Sequence, residues 1–198
     1  MAVAADLKRR FGFDKIFLSG FSLGGNIVLK AAGEQGLSGA GSTRHADEKA
    51  GQAAEKSSLC SENLIDAVCA VCPPVELDQC VSTIERGENW LYEHGFLLSL
   101  KEKVRAKNRL FPGRYDVEIL PSISSLRGFD NAFTAPDAGY TDAAAYYFGA
   151  SALRVVSAID IPALVVAAVD DPLVPISSLY SFTIPSFSSR TISASALD

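Results

Sequence analysis

Apolar positions recur on one side of residues 4–11 (AADLKRRF), which predicts a short amphipathic helix. After the break at Gly12, residues 15–19 (KIFLS) form a brief β-prone run. Residues 26–32 (NIVLKAA) return to helical spacing, and Gly33 is the expected stop. Between that strand and that helix stands Gly20-Phe21-Ser22-Leu23-Gly24-Gly25, so a strand, a sharp turn and a helix follow one another closely.

Residues 33–61 are rich in Gly, Ala, Ser and charge with almost no large apolar side chain, and read as a mobile low-complexity surface insertion. Residues 64–72 (LIDAVCAVC) are nearly continuous in apolar character and end at Pro73-Pro74, the pattern of a buried parallel strand. From about 83 to 157 the chain reads as helices and loops and holds most of the aromatic side chains. Residues 163–169 (ALVVAAV) predict another buried strand, ending in Asp170-Asp171-Pro172. The serine-rich residues 176–198 show no apolar period and predict a weakly structured tail. No internal repeat is visible.

The fold class is therefore α/β, with one domain over residues 1–175. At 198 residues, 48% hydrophobic and 21% charged, the chain is long enough for one sizeable core. A net charge of −5 and a pI near 5.1 argue against nucleic acid as a partner. No apolar run approaches the roughly 18 residues of a spanning helix, and the N-terminal residues lack an apolar signal core, so a soluble, cytoplasmic protein is expected. Cys60, Cys69, Cys72 and Cys80 are bunched, which suits a reducing compartment. Cys69 and Cys72 have metal-ligand spacing, but a strand points them to opposite faces, and no second pair completes a site. Buried free thiols are expected, with no metal and no cofactor.

Gly20-x-Ser22-x-Gly24 is the nucleophile-elbow pattern, in which a strained strand-to-helix turn lifts the Ser hydroxyl above the sheet edge. A serine hydroxyl needs an imidazole to take its proton and a carboxylate to hold the imidazole in the right tautomer. With an elbow of this kind the chain order is Ser, acid, His. Asp171, just past the run at 163–169, is the expected acid, with Asp170 its close rival. Glu76 and Asp78, after the run ending at Cys72, stand at a second place where an acid can sit.

The motifs GFSLGGN (20–26), CPPVEL (72–77), LYEHGFLLSLKEKVRAKNRLFPGRYD (91–116), RGFDNAFTAPDAGYTDAAAYYFGAS (127–151) and AAVDDPLVP (167–175) together resemble the YheT-like branch of the α/β-hydrolases. The resemblance covers residues 5 to 175 apart from 33–61. It implies the C-terminal half of an α/β-hydrolase sheet with a helical cap region. It also implies a serine hydrolase of carboxylic esters, with medium-chain acyl esters, acylglycerols or phospholipids as substrates. Under it Ser22 is the nucleophile, Asp171 the acid, and the backbone N–H of Leu23 half of the oxyanion hole.

The same resemblance implies further strands ahead of the elbow and a histidine after the last strand. No histidine follows Asp171, and only His45 and His94 exist, both ahead of it. The expectation is an enzyme impaired in this form. The alternatives are a catalytically dead acyl-binding module, or an acyltransferase that passes the acyl group to an alcohol. Lys101, Arg105 and Arg109 share one helical face, a solvated face or a weak contact with a membrane surface.

Overall fold

The structure, a computed structural model, describes residues 2–43 and 63–182. His45, Cys60, the expected insertion beyond Thr43 and the tail beyond 182 lie outside those residues. The chain forms two compact units. One comprises Met1–Val75, Ala152–Asp170 and Ile176–Asp198; the other comprises Glu76–Ser151 and Asp171–Pro175.

The first unit is built on α1 (Ala2–Phe11), β1 (Phe17–Phe21), α2 (Leu23–Thr43), β2 (Ala67–Val71) and, later in the chain, β3 (Ala163–Val166). The strands are parallel in the order β1-β2-β3, with Phe21 opposite Val71 and Val71 opposite Val166. Parallel neighbours require long crossovers. Here α2 supplies the first, and residues 72–162 supply the second. Leu29 and Ala32 of α2 close the core over Val68 and Ala70 of β2, together with Val156, Ile159 and Ala163.

Gly33 does not end α2, which runs through it to Thr43. A Cβ at Gly33 would overlap the carbonyl oxygen of Val155, and one at Gly36 would overlap that of Ala158. These glycines admit a neighbouring backbone rather than a chain reversal. Gln35, inside the expected insertion, is buried and clasps Ile65 twice: its Nε2 donates to the Ile65 carbonyl at 3.0 Å, and its Oε1 accepts from the Ile65 N–H at 2.9 Å. Two corrections follow. Residues 33–43 are helix, held to the start of β2 by a buried polar clasp. The part of the expected weak tail that is described forms a 3-10 turn over Ile176–Ser181, with Ser178 buried and Leu179 packed on the core.

Asp66 anchors the lead into β2, since its Oδ2 accepts from the N–H of Ile16 at 2.8 Å and lies 3.4 Å from Lys8 Nζ. The Ile16 hydrogen bond first, against some desolvation, and then Lys8 hold this carboxyl below its ordinary range.

The second unit is helical: α3 (Leu77–Ile84), α4 (Trp90–Leu110), α5 (Leu126–Phe129), a π turn (Asp130–Thr134), α6 (Ala135–Asp137) and α7 (Ala143–Ala150). Ser125 and Asp142 cap α5 and α7, their side-chain oxygens accepting from the N–H of Gly128 at 3.0 Å and of Ala145 at 2.8 Å. Its core joins Cys80 and Ile84 to Leu97, Val104, Leu120, Phe129 and Phe133.

Candidate active site

β1 ends at Phe21 and α2 begins at Leu23, so Ser22 is the whole connection between them. Its φ is 49°, in the left-handed region that a side-chain-bearing residue enters at a penalty of roughly 1–2 kcal/mol. Three hydrogen bonds offset it. The Ser22 N–H donates to the Val71 carbonyl of β2 at 2.8 Å, and the Ser22 carbonyl accepts from the N–H groups of Gly25 at 2.8 Å and Asn26 at 3.2 Å. Gly20 is required by contact, because a Cβ there would overlap the Gly24 carbonyl. A Cβ at Gly25 would come within 3.0 Å of Pro73 Cβ. Gly24 has no such neighbour, since a Cβ there meets nothing within 4 Å.

Ser22 is exposed at the carboxyl end of β1. Leu23 is the first residue of α2, and a helix has no internal acceptor for its first N–H groups. Those N–H groups and the helix dipole favour negative charge beside Ser22, which is what an oxyanion requires. Asn26, nearly fully buried, serves structure: its Oδ1 accepts from the Ala152 N–H at 2.8 Å.

Cys72 ends β2 in the same way that Ser22 ends β1, with a φ of 46° and an N–H donating to the Val166 carbonyl at 2.7 Å. The sequence offered no signal for this second left-handed residue. Cys69 and Cys72 are half-buried, not the buried thiols expected; among the described cysteines only Cys80 is buried.

Asp171 belongs to the second unit, whereas Ser22 belongs to the first. Its Oδ1 accepts from the N–H groups of Leu173 at 2.9 Å and Val174 at 3.0 Å, which fixes the carboxylate plane and leaves Oδ2 for another donor. The segment behind it is tied down within the same unit, because Asn89 Nδ2 donates to the Pro172 carbonyl at 3.0 Å. Asp170 is exposed. Asp78 is engaged elsewhere, 2.7 Å from Arg127 Nη1, while Glu76 precedes the first turn of α3 as its N-cap residue. His94 is exposed on α4. Of the basic face on α4, Lys101 donates to the Ile123 carbonyl at 2.6 Å and Arg105 pairs with Glu102 at 2.6 Å, so two of its three cations have partners within the protein.

No protein-family model matches the chain. It is 29% identical over 168 residues to YheT of Escherichia coli (strain K12), an esterase by name, with 84% of this chain and 42% of YheT covered. It is 33% identical over 97 residues to phospholipase ABHD3 of Mus musculus, covering 48% of this chain and 24% of that protein. With the monoacylglycerol lipase of Saccharomyces cerevisiae (strain ATCC 204508 / S288c) it shares 25% identity over 177 residues, 85% of this chain and 34% of the lipase. The chain thus spans less than half the length of these relatives. It is related to the YheT-like α/β-hydrolases, and its parallel strands and helices form part of that fold.

Proposed function

We propose that Ser22 is the nucleophile of a carboxylic ester hydrolase acting on medium-chain acyl esters, acylglycerols or phospholipids. The observation that carries this reading is the left-handed Ser22 between β1 and α2, exposed at the head of a helix. The names of the relatives, an esterase, a phospholipase and a monoacylglycerol lipase, support the substrate class.

In this reading Ser22 Oγ adds to the acyl carbonyl, and the Leu23 N–H donates to the developing oxyanion. The alcohol leaves with a proton, and water then releases the acid from the acyl-serine. In sites of this kind the neutral imidazole of a histidine takes the serine proton and returns it to the leaving alcohol, and the role proposed for Asp171 is to orient that ring and stabilise the imidazolium so formed. Neither His45 nor His94 follows Asp171, whereas the chain order of the elbow sites puts the base after the acid.

A fluorophosphonate probe tests the assignment, since only an activated serine is phosphonylated. Label on the peptide holding Ser22, absent in Ser22→Ala, is the expected result. Label on another residue, or none, removes the nucleophile assignment and leaves an acyl-binding module. Assay with p-nitrophenyl decanoate, with and without added alcohol, then separates hydrolysis from acyl transfer by product ratio.

A further inference from the structure

The second unit holds a groove of about 430 Å3 that neither Ser22 nor Asp171 lines. That volume lies within the roughly 300–1,000 Å3 range of small-molecule sites. Its floor is apolar: Leu100 and Val104 of α4 face Phe129 and Phe133. Its rim carries Lys103 and Lys107, and residues 100, 103, 104 and 107 follow the spacing of one helical face.

The opposite wall is a place where helical geometry changes. The Ala135 N–H donates to the Asp130 carbonyl five residues back, making a π turn. Pro136 has no N–H with which to restore the ordinary ladder. Such bulges are frequent at functional sites. This one carries Phe133 and Thr134 into the groove wall.

The charge of the rim selects among amphiphiles. Asp137 is its one carboxylate, and it is already engaged: the Tyr115 hydroxyl donates to it at 2.9 Å, with Lys107 at 3.4 Å and Arg114 at 3.6 Å. The Tyr115 hydrogen bond chiefly, against some desolvation, and then the cations hold that carboxyl below its usual range. Lys103 and Lys107 against this single carboxylate, which Arg114 also approaches from outside the groove, leave an excess of positive charge beside an apolar floor. A cationic amphiphile is repelled there, and a neutral one leaves the ammonium groups unused.

We propose that this groove binds an alkyl carboxylate of medium length, its chain over Val104, Phe129 and Phe133 and its carboxylate at Lys103 and Lys107. Hydrolysis of a carboxylic ester is a class of reaction that releases such a ligand, but the groove requires no acyl-enzyme at Ser22 and its test reads binding alone.

Isothermal titration with sodium decanoate below its micellar range measures it, beside 1-decanol and decyltrimethylammonium of matched chain length. Decanoate is expected to saturate one site, with both other amphiphiles about tenfold weaker or worse. Lys103 is exposed, so Lys103→Glu should keep the melting temperature while weakening decanoate about tenfold, and Lys103→Arg should retain binding. Ser22→Ala should bind as the parent does. Non-saturating heats, equal affinity for decanol, or an unchanged affinity in Lys103→Glu overturn the site. Loss of binding in Ser22→Ala does so too, by placing the ligand at the elbow.

Discussion

The backbone N–H of Ser22 donates to the carbonyl of Val71 at 2.8 Å, so the residue that reverses the chain is itself bonded into the adjacent strand. The left-handed conformation persists because sheet and helix both hold it.

Two glycines around this turn should respond differently. Gly20→Ala drives a Cβ into the Gly24 carbonyl and should lower unfolding stability by about 2–3 kcal/mol. Gly24→Ala enters open space in the first turn of α2 and should be neutral or stabilising by up to about 1 kcal/mol. Urea unfolding of both variants measures the contrast; equal losses would refute the packing account of Gly20.

Helix propensity and packing oppose each other at Gly33 and Gly36. In an unencumbered helix, Gly→Ala gains about 1 kcal/mol. Here each new methyl meets a carbonyl of the segment holding Val155 and Ala158, and the net effect of either substitution should be destabilising. A rise in melting temperature would show that this backbone yields.

Tyr147 predicts an alkaline limb. Its hydroxyl donates to Asp130 Oδ2 at 2.6 Å, and burial first, with that hydrogen bond adding, pushes its ionisation well above the ordinary tyrosine range. A raised folded-state pKa means that the stabilisation is fully present below the unfolded value near 10 and is lost as pH rises from there toward the folded value. Tyr147→Phe should be less stable by about 1–2 kcal/mol at pH 8, and its melting temperature should fall less steeply than the parent's between pH 9.5 and about 11. Parallel curves for the two proteins would reject the linkage.

The cysteines should separate by reactivity. Burial first, then the charge of Asp171, pushes the Cys80 thiol up to about 11, and its Sγ donates to the Leu173 carbonyl at 3.3 Å. At pH 8 iodoacetamide should modify Cys69 and Cys72 in the folded protein and reach Cys80 only in denaturant. Peptide mapping by mass spectrometry reads the order, and early modification of Cys80 would contradict its burial.

The parts legible in the sequence were those set by neighbours along the chain. Apolar runs marked β1, β2 and β3 to within a few residues, and Gly20, Ser22 and Gly24 marked the turn, because closing a strand onto a helix through one residue is a local steric problem. Asp171 could be located after β3 by the same kind of reasoning, although its two backbone hydrogen bonds could not be foreseen.

What the sequence alone determined is thus a parallel α/β chain with a serine at a strand-to-helix elbow, since dihedral limits and side-chain periodicity act over a few residues. Tertiary structure alone decided that Gly33 continues a helix, that Asp78 is engaged by Arg127, that Gln35 clasps Ile65, and that Cys69 and Cys72 are half-exposed while Cys80 is buried. The reason is common to all four. A missing Cβ suits both a chain reversal and a close approach, a carboxylate suits both catalysis and an ion pair, an amide suits both a solvated surface and a buried clasp, and a thiol suits both core and surface. The choice is made by what packs alongside, and Val155 and Arg127 lie far along the chain from the residues whose roles they decide.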